Sequence, residues 1–252
     1  MDLVTIPGGV FEMGSSIEEV NHCVEEWGKR LVDSSYDIEQ FRTWILKEFP
    51  RHEVRINTFQ IGKFLVTNAE YLDFVKDEGY EMPESLRLGK PLNHPVWGVS
   101  YFESEAFVNW YSRKTGIKYI IPTEAQWEYA ARGSSSRRYP FGDIFDPERC
   151  NTLESGLGDT TPVDRYSDGI SEFGVFDMAG NVEEWTSSIY YPYPGGKIIE
   201  DDISKTSGFS YYVLRGGSFA RGGDLARCAR RHGPHPAPPF RFRGFRVAHL
   251  ME

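Results

Sequence analysis

The chain has 252 residues, 40% of them hydrophobic, enough to bury a sizeable core as one domain spanning residues 1–252. A net charge of −9 argues against general binding to nucleic acid or anionic membranes, and no run of about eighteen apolar residues offers a membrane span. The three cysteines, Cys23, Cys150 and Cys228, lack metal-type spacing, and the N-terminus lacks a signal peptide's basic and apolar regions. The expectation is a soluble protein of a reducing compartment, cytoplasmic or held at the cell surface by a partner or fusion.

From the N-terminus, Val4 to Gly14 alternates apolar and polar residues around Pro7-Gly8-Gly9, which predicts a hairpin. Apolar residues at Val20, Val24, Trp27 and Leu31, then at Ile38, Phe41, Ile45 and Phe49, have helical spacing. Ser15-Ser16 and Ser34-Ser35 can supply their caps, so residues 17–49 read as two helices covering one sheet face. His52, in the strand-like Pro50-x-His52-x-Val54, has no second ligand at metal spacing and reads as a structural histidine.

Three further helices have clear boundary signals. Thr67 with Glu70 forms a capping box, and a helix from Glu103 ends at Gly116. Pro122 precedes the cap Thr123, with Gln126 completing the box. Tyr211 to Arg215 then reads as a strand delivering a segment of Arg, Gly, Pro, His and Phe that has neither helical nor strand period. Between Arg215 and Arg246 stand eight arginines and one acid, Asp224. Some of these arginines are expected to pair with buried acids, and others to meet an anionic or aromatic ligand.

Several runs carry a resemblance. Ile121-Pro-Thr-Glu-Ala-Gln-Trp-Glu-Tyr-Ala-Ala-Arg-Gly133, Phe173 to Thr186 with its Asp177-Met-Ala-Gly-Asn-Val-Glu-Glu-Trp185, Arg215-Gly-Gly-Ser218, Arg227-x-Ala229-x-Arg231 and Gly244-Phe-Arg246 resemble the formylglycine-generating-enzyme (sulfatase-modifying-factor) family. The resemblance implies an α+β fold, the C-type lectin variant of that family, here with an added helical stretch at about residues 17–49. It also implies that Glu124 and Glu128 bind framework arginines.

The same resemblance speaks to metals. Sulfatase-activating members bind copper through two cysteines just after Arg-Gly-Gly-Ser; Arg221 and Ala226 fall at those places, so no copper is expected. Calcium is implied at Asp177, the carbonyls of Gly180 and Val182, and Glu184, although Glu183 stands where the pattern usually has Trp. For a further calcium site Asn151 is present, but the acidic ligand falls on Ser155 unless Asp159 substitutes.

From Phe219 to Phe242 there is no Lys, Glu, Gln, Met or Trp, a composition that resembles the variable region of a diversity-generating retroelement protein. The leading expectation is therefore a non-catalytic scaffold that displays a solvent-facing surface to an unknown protein or other macromolecular ligand. The displayed set comprises Phe219, Ala220, Arg221, Gly222, Gly223, Asp224, Leu225, His232, Gly233, His235, Ala237, Pro238, Phe240, Arg241 and Phe242. Framework residues, Arg215, Gly216, Gly217, Arg227 and Gly244 to Arg246 among them, would hold the backbone. The alternative is a metal-dependent oxidase or oxygenase of the same family that does without the cysteine pair. His232 and His235 would then be the nearest ligand candidates, two histidines without a fixed third partner.

Overall fold

The computed structural model describes residues 1–31, 37–235 and 241–251. Strands β1 (Leu3–Ile6), β2 (Gly9–Met13), β3 (His52–Ile56), β4 (Phe59–Gly62) and β5 (Tyr119–Ile120) fall in the first half. Strands β6 (Glu183–Ile189), β7 (Tyr212–Arg215), β8 (Arg243–Gly244) and β9 (Ala248–Leu250) complete three small sheets. These are ordered β1-β4-β9-β5, β2-β3 and β7-β6-β8. Helices α1 (Ile17–Leu31), α2 (Ile38–Ile45), α3 (Asn68–Glu78), α4 (Glu84–Arg87), α5 (Tyr101–Thr115), α6 (Glu124–Arg132) and α7 (Asp202–Ser207) make the architecture α+β, as expected.

The two predicted capping boxes form as the local chemistry dictates, and Ser100 supplies a third at the start of α5. Thr67, Ser100 and Thr123 each accept from the backbone N–H three residues on, while Glu70, Glu103 and Gln126 reach back to the cap N–H. Gly79 and Gly116 end α3 and α5 in the left-handed conformation. Ser16 and Glu19 exchange the same pair of bonds at the start of α1. Asp37 caps α2, and Ser34-Ser35 lies outside the described residues.

The N-terminal hairpin does not form. β1 pairs antiparallel with β4, from Leu3 with Gly62 to Ile6 with Phe59, and β2 pairs with β3, from Gly9 with Ile56 to Met13 with His52. Pro7-Gly8 passes the chain from one sheet to the next, opposite the turn at Thr58, whose Oγ1 accepts from the Gly8 N–H. Alternation alone predicts a strand and not its partner, so a neighbour some fifty residues away wins over the local turn.

Tyr71, Phe74, Phe107, Trp110 and Phe245 build one core between α3, α5 and the four-stranded sheet. A second, around Trp127, Met178 and Cys228, fills the space under α6. Helices α1 and α2 lay Val20, Trp27, Phe41 and Ile45 onto Tyr139, Phe141 and Ala226, so this helical pair covers the stretch after β7 rather than decorating the surface.

Candidate functional site

Strand β7 ends at Arg215, and Gly216 and Gly217 follow with φ of 88° and 70°. A Cβ on Gly217 would meet the Leu225 backbone at 3.0 Å, so only glycine lets the chain fold back here. The segment that leaves this turn is tied down by buried ion pairs. Arg215 bonds Glu124 (2.7 and 3.0 Å) and Glu128 (2.9 Å), and Arg231 bonds both oxygens of Glu124. Arg227 makes a two-point pair with Glu48 (2.5 and 2.8 Å), and Arg246 does the same with Glu184 (2.6 and 2.8 Å). Burial opposes ionisation of Glu48 and Glu124, but the arginines outweigh it and hold both carboxyls below their usual range. The expected roles of Arg215, Arg227, Arg246, Glu124 and Glu128 stand.

The expectation of a solvent-facing surface does not. Phe219, Gly222, Gly223, Asp224, Leu225 and Gly233 are buried. A Cβ on Gly223 would strike Phe145 and Trp27, and one on Gly233 would strike Tyr211. Asp224 faces Arg230 at 3.5 Å, and burial still raises its carboxyl above the usual range. Phe219 packs on Phe242, which packs on Trp97. Absence of a period does not mean exposure: the arginine pairs pull the segment inward and α1 and α2 roof it. Ala220, Arg221, His232, His235 and Phe242 are half-buried and Arg241 is exposed, while Ala237, Pro238 and Phe240 lie outside the described residues.

What the segment lines instead is a cleft of about 620 Å³. Ala220, Arg221, Gly222, Asp224, Leu225, Arg230, His232 and His235 form its floor and one side. Gln40, Phe41, Trp44 and Lys47, from α2 and the turn after it, also line it, together with Asp202 and Ile203 of α7 and its cap Asp201. Lys47 pairs with Asp201 and donates to Tyr211 (3.0 Å); burial nonetheless pulls its ammonium down to about 8. The cleft thus carries cations, carboxylates and aromatic rings within one small volume, which is the character of a site for a small polar molecule. A second hollow, beside α1 and Arg132, has about 10 Å³, room for one water. Sequence reasoning missed the contribution of α2 and α7, for neither carries a motif.

The metal candidates resolve differently. Glu184 is fully buried and spends both oxygens on Arg246, so a divalent cation against it would sit beside a guanidinium. Asp177 lies in the same neighbourhood with φ of 54°. Its Oδ2 accepts from Asn181 (2.8 Å) and its buried Oδ1 has no partner; burial pushes the acid up to about 7. Gly180 donates its N–H to Gly216, and Val182 is buried beside Trp97. One carboxylate oxygen suits a cation, but Glu184 does not fit the calcium set alongside Arg246. At the other calcium position, Asp159 pairs with Lys90 (2.5 Å), and Asn151 bonds Ser155 and Asn181.

Cys23, Cys150 and Cys228 are free and buried, each thiol pushed up to about 12 by burial. His232 Nδ1 lies 2.6 Å from Glu183, and His235 Nε2 lies 3.5 Å from Asp202. The two histidines are committed to different carboxylates, and among the described residues no group of three or more His, Cys, Asp or Glu is placed to hold a metal. His52 sits on Tyr193 with Nδ1 at 3.2 Å from the Pro50 carbonyl, a structural histidine. No helix of the described residues is long and apolar enough to cross a membrane.

Comparison with known proteins places this geometry. Residues 1–251 match the family described as Sulfatase-modifying factor enzyme 1-like domain. The hercynine oxygenase of Mycolicibacterium smegmatis is 29% identical over 97% of this chain and 60% of its own length. The formylglycine-generating enzyme of Streptomyces coelicolor is 30% identical over 86% of this chain and 78% of its own length. Among solved structures, PvdO from Pseudomonas aeruginosa superposes with a TM-score of 0.73 at 22% identity, over 99% of this chain and 94% of that one. Treponema denticola variable protein 1 does so at 0.67 and 19%, over 98% and 94%. At those identities the two structures show the fold alone, the C-type-lectin-like arrangement expected. The expectation of a non-catalytic protein is overturned, since relatives about 30% identical over most of the chain are named as enzymes.

Proposed function

Because the chain belongs to the sulfatase-modifying factor family, and its curated relatives include oxygenases, we propose that it is an oxygenase-type enzyme whose substrate is a small zwitterion held in the cleft. The carrying observation is the lining: Arg221 can take a carboxylate, while Trp44 and Asp202 can face a cationic group across about 620 Å³. A flat display surface would not be roofed by a helix as this one is by α2.

The chain spans about 60% of the length of the hercynine oxygenase it resembles, so the complete reaction is part of the proposal. An oxygenase needs a redox group to activate oxygen, and the described residues do not assemble ligands for one. The role we assign to this chain is to bind, orient and desolvate the substrate.

Calorimetric titration with hercynine tests the reading. Binding in the micromolar to millimolar range, about −4 to −8 kcal/mol, is expected, weakened about fivefold or more in Trp44→Ala. Absence of heat together with unperturbed amide resonances around the cleft at millimolar hercynine would refute hercynine as the substrate type.

A further inference from the structure

The buried acids that meet the arginines of residues 215–246 are not equally well bonded. Glu48 accepts from Arg227 and Ser15, Glu124 from Arg215 and Arg231, and Glu184 from Arg246 through both oxygens. Asp224 is 4% exposed and lines the cleft, yet among the described residues neither of its carboxylate oxygens accepts a hydrogen bond. Arg230 Nε stands 3.5 Å from it without making one, and Arg230 spends its Nη1 on the carbonyls of Trp44 and Arg231, at 3.3 and 2.6 Å. Burial raises the Asp224 carboxyl above its usual range although Arg230, Arg227, Arg221 and His232 all act to lower it. A buried acceptor without a donor is costly, and a ligand that brings the donor recovers that cost.

The backbone holds this acceptor in place. The N–H groups of Leu225, Ala226 and Arg227 donate to the carbonyls three residues back, at 3.1, 3.2 and 3.4 Å, and the Gly223 N–H donates to Glu154 at 3.1 Å. An acceptor fixed in this way loses little freedom when a ligand arrives.

We propose that Asp224 is a specificity-determining residue of the cleft, accepting a hydrogen bond from an uncharged N–H of the ligand, the ring N–H of an azole. The role rests on the cleft being the substrate site. The donor is uncharged because Arg230, Arg227 and Arg221 already bring positive charge to this carboxyl, and a further cation beside them would be repelled. The donor sits on a ring because Leu153, Ile203, Leu225 and Trp44 give the cleft apolar lining, and an azole presents its N–H on a compact, flat body. This contact adds a third point of recognition to those that hold the two charges of a zwitterion.

Two isomeric probes test the proposal: 4-methylimidazole, which has a ring N–H, and 1-methylimidazole, which has none. Isotopically labelled protein is titrated with each at pH 8.5, where both are largely uncharged. NMR follows the Asp224 carboxyl carbon and the amides of Gly222 to Leu225. 4-Methylimidazole is expected to bind about fivefold or more tightly than its isomer, to shift the carboxyl carbon, and to lose its preference in Asp224→Ala. Equal affinities, a carboxyl carbon unmoved up to about 100 mM 4-methylimidazole, or a preference that survives in Asp224→Ala overturns the proposal. A carboxyl that serves only as counter-ion to Arg230 would leave the isomers indistinguishable, however much stability the variant loses. Should Asp224→Ala fail to fold, the two wild-type titrations and the carboxyl shift decide alone. Hercynine failing to bind while the isomer preference holds would refute the substrate type and leave the role of Asp224 standing. Hercynine binding while the isomers bind equally would do the reverse.

Discussion

Replacing Glu48 by Gln should be among the most damaging isosteric changes in this protein. Glu48 is fully buried and accepts three bonds, two from Arg227 (2.5 and 2.8 Å) and one from the Ser15 hydroxyl (2.9 Å). Arg230 Nε lies 3.9 Å away, and Arg227 Nε has no hydrogen-bond partner of its own. Glutamine keeps the shape but removes the charge, leaving a buried guanidinium with only a neutral acceptor. Breaking a buried pair in this way costs roughly 3–5 kcal/mol. At about 2–4 °C per kcal/mol for a chain of this size, the melting temperature should fall by roughly 6–20 °C. The sign with pH follows from the direction of the shift. A depressed carboxyl contributes above its unfolded value of about 4.3 and loses that contribution as pH falls through the lower folded value. The gap between wild type and Glu48→Gln in thermal melts should therefore be flat from neutral pH down to about 5 and close in stronger acid. Combining the change with Arg227→Met should recover part of the loss. A fall below about 3 °C, or a gap that widens in acid, would refute the claim that this pair ties the helical roof to the segment beneath it.

Other consequences are as direct. Asp177, pushed up to about 7 by burial, stabilises the fold as the neutral acid, fully below its unfolded value of about 3.9 and progressively less as pH rises toward 7. Asp177→Asn, which tolerates the φ of 54° and cannot ionise, should melt above wild type at pH 8 and level with it at pH 4, while excess calcium or EDTA moves the wild type by less than about 1 °C. A larger calcium-dependent rise, lost in the variant, would show a cation on Asp177. Asp224→Ser should cost about 2 kcal/mol or more, because Arg230 is left buried beside it, whereas Arg241→Ser, at an exposed pair with Glu84, should cost under about 1 kcal/mol. Equal costs at the two positions in denaturant titrations would contradict the burial described here.

The residues by themselves determined what depends on near neighbours. Thr67 with Glu70 and Thr123 with Gln126 announce α3 and α6, because a capping box satisfies backbone groups within three residues and needs no partner elsewhere. The long match around Pro122 to Gly133 made the fold type legible, and the arginines of the C-terminal motifs pointed to buried acids. Which acid each arginine meets was partly open: Arg227 goes to Glu48, 179 residues back, and Arg246 to Glu184. Only the tertiary structure decided that β1 joins β4 rather than β2, that residues 219–235 are packed rather than displayed, and that α2 and α7 close a cleft over them. The Glu183–His232 pair belongs to the same class, since it depends on β7 bringing Leu214 beside His232. The physical reason is common to all four. Periodicity and caps report the short-range terms of the free energy, whereas burial in an aperiodic, Gly- and Pro-rich stretch is set by long-range charge pairing and by which element roofs it. Neither of those leaves a local pattern in the chain.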